Sequence, residues 1–387
     1  MGGLGAAISD DMGSVHANPA GLSRAREISF TLGYQGTSYA LSLQRAAAMP
    51  AESVPVDLAR GTLIGATMPL PFTGVLRERI TIGLGFYTPT DVIVRGRILR
   101  PDVPQYVLLA DRTQTVAIQA GIGVLLPFGV RIGGGVMALA AIKGSVVISP
   151  DASGRVASRV DNQLITHYAP VLGASFERGI FRAGLVYRGT SVGRFSVTIE
   201  ARDIGLPLPV FNIAGIAQFD PSQLSGDLGV VYRGWTLLAG ITYKRWSEYP
   251  GPLEQTTMNS PSPPLAMYVD TVVPRVGVEH LWKLRAHTMS FRGGYFFEQS
   301  PLSFDPTLST MRTAGANYFD NHRHAVTLGG AVAVRWRGTL STFDLFAQLH
   351  VLAPRAMTDG TIPEATAPTW TTGGTVFTAG TTMTVTF

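Results

Sequence analysis

The sequence predicts an all-β chain, a transmembrane antiparallel β-barrel of about fourteen strands. Three observations carry that prediction. The composition is poor in charge yet contains no apolar run able to form a spanning helix. Apolar residues alternate with small or polar ones over most of the chain. Short turns alternate with long polar connections.

The composition comes first. Charged residues make up 15% of the 387 residues, against roughly 25% in soluble domains, and mean hydropathy is +0.21. Many side chains must face something other than water. The nearest candidate for an apolar helix, Val116 to Val147, is cut by Gln119, Pro127, Arg131 and Lys143 and weakened by its glycines, which are poor helix formers. The chain has no cysteine, which excludes disulfides, thiolate metal sites and cysteine nucleophiles. The net charge of +5 comes from cations scattered singly. A lipopolysaccharide-facing surface or a lumen accounts for it better than nucleic acid, which favours clustered charge. Met1-Gly2-Gly3 has neither the basic start nor the apolar core of a signal peptide.

Period-two patterning then supplies the strands. In "ITIGLGFYTPTDV", Ile80, Ile82, Leu84 and Phe86 share one face, opposite Gly83 and Gly85. "SGDLGVVYRGWTLLAGITYKRW" reads as a hairpin turning at Arg233-Gly234, with Leu228, Val230 and Tyr232 on the same face as Trp235, Leu237, Ala239, Ile241 and Tyr243. "VVPRVGVEHLW" puts Arg275 and Glu279 on the lumen side, and "SFRGGYFFEQ" does the same for Arg292 and Glu298. In "RHAVTLGGAVAVRW", Val326, Leu328, Val332, Val334 and Trp336 face lipid. "STFDLFAQLHVL" sets Phe343, Leu345, Ala347, Leu349 and Val351 against Thr342, Asp344, Phe346, Gln348 and His350. "TVFTAGTTMTVTF" closes the chain with Phe377, Ala379, Met383, Val385 and Phe387 outward and mostly threonines inward. The faces opposite the apolar ones carry Thr, Gly, Ala and Ser rather than charge, which separates a membrane barrel from a soluble sandwich. The bilayer supplies the reason for closure, since every backbone amide in it must be paired within the protein.

Tyr87, Trp235, Trp246, Tyr249, Trp282, Tyr295 and Trp336 fall near strand ends, where interfacial girdles form. Ala46–Leu58, Leu99–Gln105, Pro150–Asn162, Ile204–Leu224, Tyr249–Pro264 and Ser300–Asn321 read as the long external loops.

The opening stretch fits none of this. "GGLGAAISDDMGSVHANPAGL" is too broken for a strand or a long helix. It resembles the N-terminal hatch of the FadL/TodX family, the outer-membrane transporters of long-chain fatty acids and hydrocarbons. The matching positions are Asp10-Asp11 and Asn18-Pro19-Ala20. "ITIGLGFYTPTDV" resembles the family's third strand. Trp246-Ser247, the Phe291-Arg292 and Gly294 pattern followed by Ser300-Pro301, and "GTTMTVTF" follow in the family's order. The resemblance implies a hatch over residues 1–26 plugging the lumen of a barrel over residues 27–387. It implies passive uptake of hydrophobic small molecules in a Gram-negative outer membrane, among its lipids and lipopolysaccharide. Release would be sideways, through an opening beside the third strand. Asp10, Asp11, Asn18, Pro19 and Ala20 become the gating residues. Gly85, Tyr87, Thr88 and Pro89 mark the opening, with Pro89 as the source of a kink, since proline cannot donate to a ladder. The two aspartates are expected to pair with lumen arginines.

A fatty-acid site needs an apolar slot and a cation. Arg292 is the first carboxylate candidate and Arg275 the second. The loop "NSPSPPLAMYVD", where the family places a lysine, has no cation, and a neutral hydrophobic compound fits equally. The alternative function is a structural or secretion-associated barrel on the same scaffold, with a protein partner at the outer membrane. Enzymatic activity is not expected, because no Gly-x-Ser-x-Gly elbow occurs. No cofactor or metal is expected either: "GGLGAA" follows no strand, and His322 and His324 lack carboxylate partners at ligand spacing.

Overall fold

The computed structural model describes residues 1–90, 102–109, 115–150, 152–153, 155–202, 210–253, 267–284, 287–302, 316–360, 362–363 and 366–387. Its strands are β1 Ser29–Gln44, β2 Glu52–Val54, β3 Ala59–Pro69, β4 Ile80–Pro89, β5 Ala117–Leu125, β6 Val130–Pro150, β7 Val156–Arg178, β8 Phe181–Arg188, β9 Ser191–Ala201, β10 Phe211–Asp220, β11 Gln223–Tyr232, β12 Trp235–Lys244, β13 Thr271–Leu284, β14 His287–Glu298, β15 Arg323–Trp336, β16 Thr339–Thr358 and β17 Thr369–Thr386. Fourteen of them close a barrel. β1 pairs with β3, and the ladder then runs through β4, β5, β6, β7 and β8 to β11 and onward to β17, which pairs back with β1 from Ser29↔Thr386 to Gln44↔Thr371. Closure leaves no edge for the bilayer to solvate.

The lipid-facing pattern follows the sequence. Leu228, Tyr232, Trp235, Leu237, Ile241 and Tyr243 are exposed, as are Val326, Leu328, Phe343, Leu345, Phe377 and Met383. Their strand neighbours point inward. The hairpins close on tight turns at one end. Arg233 and Gly234 have φ of 48° and 84°, and Arg337 and Gly338 have 49° and 90°. Two successive positive φ values are the type I′ geometry that matches strand twist. The long connections gather at the other end.

Three strands lie outside the ring. β2 is a short addition to the end of β1. β9 and β10 form a hairpin that leaves the wall and pairs, parallel, with β6 from Ile142↔Phe195 to Ile148↔Ala201. Two stretches expected as loops are therefore strand. β6 and β7 stay paired out to Pro150↔Val156, and β10 occupies most of the second half of Ile204–Leu224, of which 204–209 lie outside the described residues. Parts of three other expected loops (99–101, 254–264 and 303–315) and "NSPSPPLAMYVD" up to Ala266 also lie outside them.

The girdle expectation needs correction at three positions. Trp246 and Tyr249 are 1% and 5% exposed. They belong to a buried cluster with Phe219, Tyr268, Tyr106 and Trp370, which also takes in Leu41, Leu352 and Val376 from the lumen faces of β1, β16 and β17. The ring centroids of Phe219 and Tyr249 are 4.7 Å apart, as are those of Tyr249 and Tyr268. This aromatic cluster caps the loop end of the lumen. Tyr87 points inward, its ring lying over Gly61.

Candidate functional site

The N-terminal segment lies against the lumen faces of the wall. Residues Ser14–Ala17 make a single helical turn, α1, and Pro19–Arg24 a 3₁₀ turn. Asn18 stands between them and is 0% exposed. Its Nδ2 donates to the carbonyls of Ala6 at 2.6 Å and Ala174 at 3.0 Å, while its Oδ1 accepts from the Ala20 amide at 3.1 Å. One side chain thus ties two parts of the segment to each other and to β7. The Asn-Pro step makes this possible, since proline starts the next turn and leaves the amide free to bond backbone. Ala20 and Leu22 are 0% exposed.

The wall is shaped to receive this backbone. A Cβ on Gly173 would overlap the Asn18 carboxamide, and one on Gly184 would overlap the Ala6 carbonyl. Nearer the start, the Asp227 carboxylate accepts from the amides of Gly5 at 3.0 Å and Ala6 at 2.7 Å. The Gly2 amide donates to Thr327 Oγ1 at 2.8 Å, and Arg275 Nη1 donates to the Gly3 carbonyl at 2.9 Å. Arg24 closes the segment by donating to the carbonyls of Ser9 and Ala7. It shares Glu177 with Arg131 and Arg182, whose nitrogens lie 3.2 and 2.7 Å from that carboxylate.

Asp10 and Asp11 make no ion pair among the described residues. Asp11 instead accepts from the Gly13 amide at 2.8 Å. Both carboxylates reach lumen water, yet the surrounding wall removes most of the bulk solvent. That desolvation, with Asp11 beside it, raises the pKa of Asp10 to about 6.

Between the N-terminal segment and the aromatic cap lies a cavity of about 650 Å³. Met12, Leu63, Tyr87, Met137, Leu139 and Val186 form an apolar side. Arg188, Arg275, Asp220, Asp227 and Lys244 form a polar side. Arg188 Nη1 donates to His16 Nε2 at 2.6 Å, and Gln119 Nε2 lies 3.2 Å from His16 Nδ1. The Arg188 charge, with burial, lowers the His16 pKa to about 3, so the imidazole is neutral and accepts. Arg188 and Arg275 have no carboxylate within ion-pair distance among the described residues, and the Nε of each is buried without a partner there. Such groups are costly to leave unmatched.

Arg292 sits elsewhere. Its Nε bonds Glu279 at 2.6 Å and its Nη1 bonds Asp344 at 2.8 Å. It lines a second cavity of about 790 Å³ beside Asp10, near the tight-turn end. Glu298 is held by Lys244 and Arg323. The sequence ranking of Arg292 above Arg275 is thus reversed by geometry, since Arg292 already has two carboxylates. Arg188 escaped the sequence reading. It stands at the end of a short strand beside Gly189, with no partner pattern to mark it.

The expected kink in β4 is not seen. The β3–β4 register runs unshifted from Pro69↔Thr81 to Gly61↔Pro89. On the other side, however, the β5 register runs only to Tyr87↔Ala117, and no β5 partner of Thr88 or Pro89 is found among the described residues. Gly85 lies within the paired part. Asp91 and Val92 fall outside the described residues.

No protein-family model matches the chain, and no curated protein matches it. Solved structures do. A Pseudomonas aeruginosa FadL homologue superposes with a TM-score of 0.61 at 13% identity, covering 99% of this chain and 94% of that one. The P. putida toluene transporter TodX gives 0.59 at 12% identity, over 100% and 97%. The Ralstonia pickettii toluene transporter TbuX gives 0.52 at 14%, over 100% and 96%. Over its described residues the chain therefore has the closed fourteen-strand barrel fold of the FadL/TodX structures.

Proposed function

We propose that this chain is a passive uptake channel for hydrophobic small molecules in a Gram-negative outer membrane. The observation that carries the reading is the lumenal cavity, apolar on one side and bearing on the other two guanidinium groups with no carboxylate within ion-pair distance among the described residues, within a barrel belted by lipid-facing side chains. Relatives in fold include toluene transporters, and the apolar side suits a hydrocarbon or an acyl chain. Arg188 and Arg275 suit a single acidic head group, so a long-chain acid fits the whole cavity and a neutral hydrocarbon fits half of it.

Residues 1–26 act as the hatch. Asp10, Asp11, Asn18, Pro19 and Ala20 set how firmly it is docked. Substrate held against Met12 and Leu63 moves on when the α1 turn shifts. Sideways release beside β4 uses the stretch above Gly85, at Tyr87, Thr88 and Pro89. The support for it is that β4 has no β5 partner above Tyr87 among the described residues, not a proline kink. A hydrophobic substrate that leaves through the wall never has to be solvated, which is the physical advantage of such a route.

The test is uptake into proteoliposomes of a fluorescent long-chain acid and of toluene. Uptake faster than in protein-free vesicles, slowed for the acid but not for toluene by Arg188→Ala, supports the reading. Equal rates with and without protein for both compounds overturn it.

A further inference from the structure

The barrel wall changes partners at one point, and that point borders the cavity. β7 and β8 pair from Arg178↔Phe181 to Val171↔Arg188. One more bond follows, from the Gly189 amide to the Pro170 carbonyl. Pro170 has no N–H, and beyond it β7 continues to Val156 with no strand on that side among the described residues. The chain after β8 crosses to the opposite edge of β6 as β9. Among the described residues, β5 pairs with that edge only as far as Ala117↔Leu139, with one further bond from the Ala140 amide to the Val116 carbonyl. β7 and β8 therefore fork.

The rim of the fork is apolar and aromatic on its outer side. Tyr168, Leu172, Leu185 and Tyr187 are 71%, 56%, 52% and 43% exposed, and outward tyrosines mark the head-group level of a bilayer. On its inner side, Arg188 and Gly189 line the cavity. Above, Glu248 accepts from Thr190 at 2.8 Å and Ser222 at 3.1 Å, which ties the loop side of the fork down. With the aromatic cap over the cavity and the N-terminal segment beneath it, the wall is the short way in.

We infer that the fork between β7 and β8 is a doorway at head-group level, through which an acid-headed amphiphile passes between the membrane and the cavity with Arg188 meeting its carboxylate. The inference rests on the uptake reading and adds to it a route three strands round the wall from Tyr87. The physical logic is continuity of environment. The head group stays at a polar level throughout, moving from interface to guanidinium, while the chain moves from lipid to Met137, Leu139 and Val186. Gly189 closes the paired part of the seam against the Pro170 ring, which would lie 2.7 Å from any Cβ there, and the fork opens beyond it because Pro170 has no amide to seek a further partner.

Because the chain has no cysteine, a single introduced one reports unambiguously. Thr190→Cys labelled with bimane, in proteoliposomes containing phosphatidylcholine doxyl-labelled near the head group, is expected to lose at least half its emission. A label at Thr378→Cys, on the lumen face of β17, is expected to keep it. Gly189→Trp and, as a second variant with less crowding against Pro170, Thr190→Trp are expected to cut uptake of the fluorescent acid to roughly a tenth, with equilibrium binding kept in the Thr190 variant, whose residue lies outside the cavity lining. A label at 190 reached by aqueous iodide but not by lipid quencher overturns the doorway, as do wild-type rates in both folded tryptophan variants. Either result leaves the uptake reading standing. Should the unmodified protein take up neither the acid nor toluene, the uptake reading falls and the lipid quenching still decides whether the fork opens to the bilayer.

Discussion

Replacing Asn18 with alanine tests how the N-terminal segment is held. The substitution removes three hydrogen bonds, to Ala6, Ala174 and Ala20, from a side chain that is 0% exposed. Each such bond contributes about 1 kcal/mol net, and each buried group left without a partner costs about 1–3 kcal/mol. Lumen water can re-solvate part of the vacated site, which keeps the loss near the lower end, about 2–3 kcal/mol for docking of the segment. That corresponds to a roughly 30- to 150-fold larger undocked population. The wall contacts stay intact, because Gly173 faces the vacated space and the barrel ladder does not pass through residue 18. Hydrogen exchange read by mass spectrometry on detergent-solubilised protein is the assay. Peptides covering residues 13–24 should exchange faster by about that factor, while peptides from β15 and β16 keep their rates. Exchange in 13–24 that rises less than about threefold, or that rises equally throughout the barrel, would refute the claim that Asn18 is the tie.

Further outcomes follow from the same geometry. Arg188→Ala should abolish saturable binding of a long-chain acid, measured by fluorescence titration, and Arg188→Lys should restore it in part, because the charge returns without the planar fork. Arg292→Ala should instead leave Glu279 and Asp344 without their shared cation, lowering the temperature of heat-modified gel migration with little change in acid affinity. Glu177→Gln should loosen residues 20–24 in the same exchange experiment, since three arginines then face a neutral amide. Asp10 gives a pH signature. Its pKa is raised from 3.8 to about 6 when docked, so the docked state binds the proton more tightly. Docking is then strongest below pH 3.8 and weakens as pH rises through about 6. Exchange of residues 5–15, corrected for intrinsic pH dependence, should be slower at pH 5 than at pH 7.5, and Asp10→Asn should flatten the difference.

The barrel was legible because its driving force is written locally. Alternation at Leu228–Tyr243 or Val326–Trp336 needs no knowledge of distant residues, and an Arg-Gly pair with positive φ announces its own turn. Asn18 was legible for a similar reason: the Asn-Pro step sets its own hydrogen-bonding geometry. What failed was what depends on partners far along the chain. Trp246 and Tyr249 look interfacial beside their strand and become core only because Phe219, Tyr106 and Trp370 meet them over the lumen. Pro89 looks like a kink, but a ladder that ends on one side tolerates a proline without bending. Arg292 looks like a ligand group until Asp344, on a different hairpin, reaches it. Arg188 has the opposite history. Nothing in "FRAGLVYRGT" sets it apart, and its importance comes from the carboxylates that are not beside it.

The two halves of the lumen are filled by different physics, and this bears on where substrate can travel. On the side of β5, β6, β7 and β8, the wall offers glycines such as Gly173 and Gly184, against which the N-terminal segment packs its own backbone. Backbone-to-backbone packing leaves no room for an acyl chain while the segment is docked. On the side of β13 to β16, the wall offers Glu279, Arg292 and Asp344 in a paired network, and moving a hydrocarbon past paired charges means desolvating them without replacement. Neither half is a greasy path downward. Below the aromatic cap, the apolar lining of the cavity lies at the level of Met12, Leu63, Met137 and Leu139, which is also the level at which β5 pairing ends among the described residues and β8 leaves the wall. On the proposed uptake function, the apolar side of the cavity lies at the height of the two breaks in pairing found among the described residues, and that coincidence favours passage of cargo across the wall there, with the docked segment below holding it in place.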